Sequence, residues 1–461
     1  MPQKGFILVE NKLNIIYLLC EVCELRTGEK SSPDDNIYVD IRRCNDTNAK
    51  SQTSHSEMPQ QQQWKIIIIE IDLNMKNKVL KLATLCLLVS FISYAQDFKK
   101  TTLTRDFLSE GAAVADLNKD GKLDIIAGYF WFEAPNWTRH EMAPSRAFKP
   151  REEYSNSFLN LGMDVNLDGW DDVVIVDFPG KPAFWFENPK KQQVSEWKKH
   201  IIADSVGISN ESPNFVDVDG DGRLDILCGD KAKKQIIWLQ APTKKGETVW
   251  KRFNLTQENV KGTEIFSHGI GLGDINNDGI KDIVIREGWF QGTKDLKGGN
   301  WVFHPANLGE PCSHMQVFDV NGDGKNDVVS ASAHALGIWF HEQINEQGQI
   351  NFKTHTISTT TAQTHSSIMA DLNGDGKKEY ITGKRFLAHH GRDPGDADAA
   401  ILLYFEFDSK KQPYYAEHMI DNDSGSGLNV SVADINKDGK LDIITANKNG
   451  VFLFENQLKK K

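Results

Sequence analysis

The stretch "DVDGDGRLD", residues 217–225, decides the fold, because the chain repeats its pattern seven times. Carboxylate or amide oxygens stand at positions 1, 3 and 5, glycine stands at position 6, and an acid follows at position 9. Such a loop makes an all-oxygen cage, which calcium accepts more readily than magnesium. An EF-hand would carry glutamate at position 12 between two helices, whereas the copy at 371–379 has Thr382 there, within a β-rich run.

The seven copies start 45 to 63 residues apart. One copy could arise by chance or form a metal-free turn, but seven at a near-constant period predict a set of up to seven Ca²⁺ sites. The sixth copy departs from the others, since glutamate replaces aspartate at position 9. The predicted calcium ligands are Asp116, Asn118, Asp120, Asp124, Asp164, Asn166, Asp168, Asp172, Asp217, Asp219, Asp221, Asp225, Asp274, Asn276, Asp278, Asp282, Asp319, Asn321, Asp323, Asp327, Asp371, Asn373, Asp375, Glu379, Asp434, Asn436, Asp438 and Asp442.

A period of about 50 residues predicts a propeller or a solenoid. Each repeat has a short run before the loop, a β-branched run such as "DVVIV" (172–176), an aromatic run such as "FWFENP" (184–189) and an outer run of the form aromatic-x-x-His. Four strands repeated radially form a β-propeller. The outer-run histidines are predicted to be structural and hydrogen-bonded between blades: His140, His200, His304, His355 and His418.

The two ends of the repeat region complement each other. The chain stops soon after the seventh aromatic run, "VFLFEN" (451–456), without an outer strand, and a fitting strand, "DFKKTTL" (97–103), precedes the first loop. Pairing these two strands would close the ring and remove an exposed sheet edge. We therefore predict an all-β fold, a seven-bladed β-propeller over residues 96–461, whose N-terminal strand completes the last blade.

A secretory signal precedes this domain. The stretch "MKNKVLKLATLCLLVSFISYAQ", residues 75–96, has a basic start, an apolar run and a small-x-Ala exit. It predicts a signal peptide at 75–95, a secreted or periplasmic protein, and no membrane span after cleavage. Residues 1–74 are predicted to be an over-extended start, with translation beginning at Met75, or disordered; the alternative is an anchored segment with a membrane span.

The net charge of −11 comes from the predicted propeller, because the acidic and basic residues upstream of residue 96 balance. The carboxylates of the seven acidic loops supply this negative charge, so we attribute the net charge to the predicted calcium sites. It also argues against a nucleic-acid partner, which would require a basic surface. Only Cys228 and Cys312 remain after cleavage, two blades apart, so a disulfide framework is not expected.

The seven D-x-[ND]-x-D-G-x-x-[DE] loops resemble those of the FG-GAP, or VCBS-repeat, family of propellers, which includes the integrin α-subunit head. The resemblance covers residues 96–461. It implies calcium-loop blades whose first strand lines a central channel. Members of the family include adhesion modules, carbohydrate-degrading lyases and a class of sugar dehydratases, so the fold does not decide the function.

The implied topology places residues that precede each first strand at one channel mouth, opposite the calcium loops. Six positions before the loops stand Glu110, Glu211, His268 and His365, with His314 one place later in its blade. Imidazoles and carboxylates converging from separate strands suit Zn²⁺ or another divalent transition metal. We predict such a site from these five residues; the alternative is that the histidines plug the channel by bonding to backbone.

The ends of the second strands and a long insertion in blade six, "RFLAHHGRDPGDADAA" (385–400), are expected at the same mouth. Functional residues tend to sit on loops held by a rigid scaffold. Four of these residues are predicted to be catalytic, in proton transfer: His334, His389, His390 and Asp393. Four cations are predicted to hold substrate: Arg286, Lys384, Arg385 and Arg392.

This set of residues suits proton abstraction beside a carbonyl followed by elimination. The leading hypothesis is a metal-assisted lyase or dehydratase that acts on a carbohydrate or sugar-derived small molecule. The alternative is a non-catalytic module that binds glycan or protein and uses calcium only for stability.

Overall fold

The computed structural model describes residues 7–11, 14–18, 97–204, 208–211, 213–299, 301–310, 314–411 and 413–460. The chain divides into two compact units, Met1–Tyr94 and Ala95–Lys461. In the first unit, β1 (Ile7–Asn11) and β2 (Asn14–Leu18) form an antiparallel pair. The predicted signal peptide and its cleavage point lie outside the described residues. Within the described part of the chain, no helix is long and apolar enough to cross a membrane.

The second unit is the predicted seven-bladed β-propeller, in which every sheet has four antiparallel strands. Blade one is β4 (Ala113–Ala115), β5 (Asp124–Ala127), β6 (Phe130–Glu133) and β7 (Thr138–Glu141); blade two is β8 (Leu159–Met163), β9 (Asp172–Val176), β10 (Ala183–Glu187) and β11 (Lys198–Ala203); blade three is β12 (Asn214–Val216), β13 (Asp225–Asp230), β14 (Gln235–Gln240) and β15 (Lys251–Asn254).

Blade four is β16 (Ile270–Gly273), β17 (Asp282–Ile285), β18 (Gly288–Gln291) and β19 (Val302–Pro305); blade five is β20 (Gln316–Phe318), β21 (Asp327–Ala331), β22 (Leu336–Glu346) and β23 (Gln349–Ala362); blade six is β24 (Ser367–Ala370), β25 (Glu379–Gly383), β26 (Leu402–Phe407) and β27 (Tyr415–Asp421). Blade seven is β28 (Ser431–Ala433), β29 (Asp442–Asn447), β30 (Gly450–Asn456) and β3 (Phe98–Thr104).

The closure of the ring is confirmed. β3 pairs antiparallel with β30, from Phe98 opposite Asn456 to Thr104 opposite Val451. The N-terminal strand therefore supplies the outer strand of blade seven. First strands of neighbouring blades contact one another, as β4 does with β8 and β16 with β20, so they are the innermost strands.

The core lies between neighbouring sheets. Val174 and Trp185 of blade two, for example, pack with Ile226 and Ile237 of blade three. The second and third strands are buried along nearly their whole length because both of their faces meet another blade. This explains their continuous apolar sequence, which lacks the alternation of a half-exposed strand.

The seven acidic loops share one backbone conformation. Positions 4 and 6 of every loop lie in the left-handed region, and position 6 is glycine each time, with φ between 79° and 92°. The first carboxylate accepts the backbone N–H of position 6, as Asp116 does from Gly121 at 2.9 Å. Glycine at position 6 is therefore a conformational requirement, since other residues pay a steric cost there.

The acid at position 9 is buried and ties the loop to the third strand. One oxygen of Asp282 accepts the backbone N–H of Ile275, and the other accepts that of Gly292, both at 2.8 Å. Burial raises the pKa of Asp282 to about 6. Glu379 in the sixth loop differs, because its second oxygen accepts the side-chain amide of Asn373 at 2.8 Å instead of a strand N–H. Position 9 is thus a structural residue in addition to any part in metal binding.

The outer-strand histidines are structural, but their partners lie within their own blade and not in the next one. His140 stacks on Trp131 at 4.2 Å between ring centroids and hydrogen-bonds Glu133 at 2.7 Å. His200 repeats this arrangement with Trp185 and Glu187. The expectation of bonds between blades was wrong because the neighbouring third strand already offers both a ring and an acceptor.

His341 on β22 makes the stability of the protein depend on pH. It is fully buried, and its two ring nitrogens bond the hydroxyls of Ser330 (2.9 Å) and Thr354 (3.0 Å). Burial lowers its pKa from 6.5 to about 4. Because the folded-state pKa lies below the unfolded-state value, the neutral ring stabilises the fold above pH 6.5, and this contribution is lost as the pH falls towards 4.

We therefore expect His341→Gln to flatten the pH dependence of stability between pH 6.5 and 4 by about 2–3 kcal/mol, at 1.36 kcal/mol per pKa unit. Urea unfolding of the wild type and of His341→Gln at pH 7 and pH 4.5 measures how much the free energy of unfolding changes with pH in each protein. His355→Gln, on the partly exposed outer strand, is the control. If the free energy of unfolding changes with pH by the same amount in His341→Gln and in the wild type, His341 does not cause the pH dependence of stability.

Candidate functional site

Three imidazoles meet at the channel mouth. His268 precedes β16 of blade four, His334 follows β21 of blade five, and His365 precedes β24 of blade six. One ring nitrogen from each lies within 4.8 Å of the others. The ring centroids are 4.6 Å apart for His268 and His334, 5.1 Å for His268 and His365, and 5.5 Å for His334 and His365. We call these three residues the histidine cluster.

The cluster is buried on its inner side and open on its outer side. The side chain of His268 is 1% exposed and that of His334 is 37% exposed, while His365 is fully buried. Nδ1 of His365 donates to the carbonyl of Gln363 at 3.0 Å, so Nε2 is the nitrogen that carries a lone pair. Such a bond fixes both the tautomer and the orientation of a metal-binding histidine. Burial, followed by the Arg385 charge, holds the pKa of His365 well below 6.5, so the ring is neutral.

An imidazole–carboxylate pair, His389 with Asp393, lies beside the cluster on the blade-six insertion. Nδ1 of His389 donates to Oδ2 of Asp393 at 2.5 Å, and the same oxygen lies 3.5 Å from Nδ1 of His334. The rings of His334 and His389 stack at 4.8 Å. His334, His389 and Asp393 form another group with ligand atoms within 4.8 Å of one another. Carboxylate-oriented His389 can bind a cation or transfer a proton.

Buried lysines hold the insertion in place. Lys448 Nζ donates to the carbonyl of Leu387 at 3.0 Å, lies 3.3 Å from Nδ1 of His390, and sits 4.3 Å from the centre of the Tyr154 ring. Burial lowers the pKa of Lys448 to about 8. Lys384 Nζ donates to two further carbonyls of the insertion, those of Gly395 and Asp398. Lys384 therefore anchors a loop and does not face substrate as predicted.

A buried ion triad crosses the channel beneath the mouth. Arg385 donates through Nε to Glu110 at 3.2 Å and through Nη1 to Glu211 at 2.7 Å, and these groups are almost wholly buried. Burial alone would raise the pKa of Glu211, but the Arg385 charge holds it well below its ordinary value. Nε2 of His268 lies 3.6 Å from Glu211. The predictions that Arg385 holds substrate and that Glu110 binds metal are not supported by this geometry, because the two side chains are engaged with each other in a buried ion pair.

The remaining predicted residues lie apart from the cluster or at its edge. His314 is buried, with Nε2 3.3 Å from the Pro213 carbonyl and Nδ1 3.5 Å from the Ser367 amide. With both nitrogens occupied it is replaced in the cluster by His334, contrary to the predicted metal set. His390 packs on Tyr154 at 4.7 Å. Arg286 is exposed, 4.0 Å from its neighbour Glu287, and Arg392 is exposed on the insertion.

Sequence reasoning missed Lys448, Tyr154 and Gln363. Lys448 follows the second strand of blade seven, so the rule that selected His334 and Lys384 would have found it. Tyr154 lies in the connection between blades one and two, where no repeat offset points to it. Gln363 supports the insertion through its side chain, which donates to Asp396 at 2.6 Å; only the folded chain shows that role.

The acidic loops form a separate candidate site on the opposite face. In the third loop, Asp217, Asp219 and Asp225 bring one carboxylate oxygen each to within 4.8 Å of the others. This loop has carboxylates at all four predicted ligand positions. Clustered hard oxygens in a glycine-bent loop are the donor set that suits Ca²⁺.

Comparison with known proteins identifies the repeats. Residues 164–228 and 319–382 match the FG-GAP-like repeat family. A T-cell immunomodulatory protein homolog of Plasmodium falciparum is 22% identical over 435 residues, covering 74% of this chain and 60% of that protein. The KICSTOR complex protein ITFG2 of Mus musculus is 28% identical over 134 residues, covering 26% of this chain and 29% of that protein. The chain thus spans less than two thirds of either curated relative.

Solved structures with a similar architecture are distant. Rhamnogalacturonan lyase YesW is 12% identical with a TM-score of 0.41, covering 79% of this chain and 76% of that one. A lectin of Agrocybe aegerita, described as recognising non-reducing terminal N-acetylglucosamine, is 16% identical with a TM-score of 0.40, covering 77% and 87%. At such scores the chemistry of those proteins says nothing about this chain.

Proposed function

We propose that this propeller, which carries FG-GAP-like repeats, is a carbohydrate-active enzyme, a metal-assisted lyase or dehydratase that works at the channel mouth. The observation that carries the proposal is the histidine cluster, in which three imidazoles from three blades bring their ligand nitrogens to within 4.8 Å of one another. Imidazole nitrogens that converge from separate blades form a donor set suited to a divalent transition metal.

The cluster fits a divalent transition metal such as Zn²⁺. Three protein ligands with one position open to solvent are typical of catalytic zinc sites, whereas structural sites use four protein ligands. The partly exposed side of His334 provides that opening, and the Gln363 carbonyl supplies the outer hydrogen bond that orients His365. When bound, such a metal polarises a carbonyl or acidifies a water molecule.

The proton chemistry would fall to His389. Its Nδ1–H bond to Asp393 leaves Nε2 as the basic nitrogen, and the carboxylate stabilises the imidazolium that forms when a proton is taken up. His389 would remove the proton next to a sugar carbonyl. The leaving oxygen on the following carbon would then depart with its bonding electrons as a double bond forms, and His389 would return the proton to it. The products are an unsaturated sugar and either water or an alcohol.

Calcium and location complete the proposal. The seven acidic loops would hold calcium on the face away from the mouth, where it stabilises the blades and takes no part in the chemistry. The signal-like sequence at 75–95 supports a secreted or periplasmic protein, in a compartment where calcium is available.

Metal analysis of the full chain after exchange into calcium tests the enzyme. We expect about one tightly held transition-metal ion per chain, and we expect His365→Ala to reduce metal affinity by roughly 100-fold or more, because a ligand is lost outright. His355→Ala, which changes a histidine on the outer strand, should keep the metal. A wild-type protein that holds only calcium under these conditions would rule out the metal centre.

A non-catalytic glycan- or protein-binding module with structural calcium is the second candidate. It is favoured by one observation, since two of the four cations predicted to hold substrate, Lys384 and Arg385, are engaged in internal contacts. The two candidates differ in one result: a binding module would keep its ligand affinity in the His365→Ala protein, whereas the enzyme would lose turnover.

A further inference from the structure

An aromatic row lies along the mouth beside the histidine cluster. Tyr154 packs on Phe178 at 5.5 Å, and Phe178 packs on Phe266 at 5.4 Å between ring centroids. Phe158 supports Phe178 from the interior at 5.2 Å and is almost fully buried. Phe178 follows the second strand of blade two and Phe266 precedes the first strand of blade four, so both lie on the same face as the histidine cluster.

Phe266 combines exposure with an unfavourable backbone. Phe266 is 43% exposed, and its backbone φ of 66° lies in the left-handed region. Bulky non-glycine residues are rare there and persist only where the surroundings hold them. The backbone N–H of Phe266 donates to the Ser209 carbonyl at 2.9 Å, which provides that restraint. The fold therefore holds an apolar ring towards solvent in a strained conformation, and such strain is found at ligand-binding sites as well as in turns.

Phe266 is rigidly connected to the cluster. His268 follows it by two residues, and the intervening Ser267 accepts a hydrogen bond from the Glu211 N–H at 3.0 Å through its carbonyl. Glu211 is in turn bound to Arg385 at 2.7 Å. The exposed ring and the His268 imidazole thus belong to one braced segment, and a ligand on the ring would extend towards the cluster.

We propose that Phe266, backed by Phe178, is a stacking platform for the pyranose ring of the sugar on which the histidine cluster acts. This inference rests on the proposed function and names a subsite of it. A pyranose has an apolar C–H face that packs on an aromatic ring, while its hydroxyl edge stays hydrated. Lys231 suits that edge, because its Nζ lies against Gly180, two residues after Phe178, while the exposed Ile265 extends the apolar surface at the same place.

The size of the patch favours a sugar over a protein partner. Phe266 and its neighbour Ile265 are the exposed apolar side chains of this segment, at 43% and 37%. A stable protein interface buries about 800 Å² on each side, far more than two side chains offer. One or two sugar rings match the patch.

Binding of the full chain to an array of defined neutral and uronate-containing oligosaccharides, followed by titration of the strongest binder, tests the platform. We expect Phe266→Gly to weaken binding about tenfold or more, since a large aromatic contact is lost, while the melting temperature stays equal or rises because glycine adopts a positive φ freely. Phe266→Trp should keep the affinity. Phe303→Ala, which removes an equally exposed ring from the outer strand β19, should change nothing.

The outcomes separate the two levels of the proposal. If the wild type binds a glycan and Phe266→Gly binds it equally well, the platform is wrong and the proposed function stands. If Phe266→Gly loses several degrees of melting temperature together with binding, Phe266 is structural and the platform is also wrong. If the wild type binds no glycan in the array, the carbohydrate assignment fails and the platform fails with it, while metal content still reports on the histidine cluster.

Discussion

Replacing Arg385 by methionine is expected to destabilise the propeller by about 3–5 kcal/mol, because it leaves buried charges without a partner. Arg385 joins Glu110 of blade one to Glu211 of blade three across the channel, and its own side chain is fully buried. Apart from the His268 imidazole, 3.6 Å from Glu211, Arg385 is the cation that pairs with these two carboxylates among the described residues. Denaturant unfolding at pH 7 measures the loss.

Two controls show whether burial is the cause. Arg105→Met breaks an exposed ion pair with Asp423 and should cost less than about 1 kcal/mol. Adding Glu110→Gln and Glu211→Gln to Arg385→Met removes the orphaned charges and should recover much of the stability. If Arg385→Met costs no more than Arg105→Met, the triad does not hold the channel together.

Removing calcium is expected to lower the melting temperature by roughly ten degrees or more, in proportion to the number of loops that bind it. At a calcium concentration a hundredfold above the dissociation constant, each filled site adds about 2.7 kcal/mol to stability. Seven loops with one shared conformation would act together around the ring. Calorimetry in excess calcium and in EGTA measures the difference, and identical curves would show that the loops fold without metal.

A matched pair of aspartates in the fourth loop separates metal binding from structure. Asp278→Ala removes an exposed carboxylate at position 5, so it should lower stability in calcium and have little effect in EGTA. Asp282→Ala removes the buried acceptor of two backbone N–H groups and should cost about 2–4 kcal/mol in both media. Equal behaviour of the two variants would contradict a separate structural role for position 9.

Much of the fold could be predicted because it depends on local, repeated features. Each loop needs glycine at position 6 for its left-handed turn, so the motif by itself predicts the loop conformation. Gly121 of the first loop and Gly439 of the seventh loop both have this positive φ. Closure could be predicted because the seventh repeat lacks the outer strand that the other repeats have, and a matching run precedes the first repeat; these two runs are β30 and β3, which pair. The loop conformation depends on neighbouring residues, whereas closure follows from comparing the repeats with one another.

The candidate site could be predicted only in part. The repeat offset placed His268 and His365 at the mouth, and both are in the cluster. The same offset, shifted by one place, admitted His314, whose ring turns to the Pro213 carbonyl. His334 was found at the end of a second strand and was predicted to act in proton transfer, although its ring meets the other two. The position of a residue relative to the loop predicts where its backbone lies, whereas the direction of its side chain depends on the neighbouring side chains in the folded ring.

The sequence by itself determined that this chain forms seven four-stranded blades with acidic loops on one face, and that the ring closes with its own first strand. Only the tertiary structure decided which of the mouth residues face one another: His334 joins the histidine cluster, Arg385 is neutralised by Glu110 and Glu211, and Phe266 stays exposed. The physical reason is repetition. Loop conformation follows from contacts between near neighbours, and strand pairing, including that of β3 with β30, follows a pattern that the chain repeats in every blade. Pairing across the channel follows no repeated pattern: Arg385 meets Glu110, 275 positions away, and distance and charge in the folded ring set these partners.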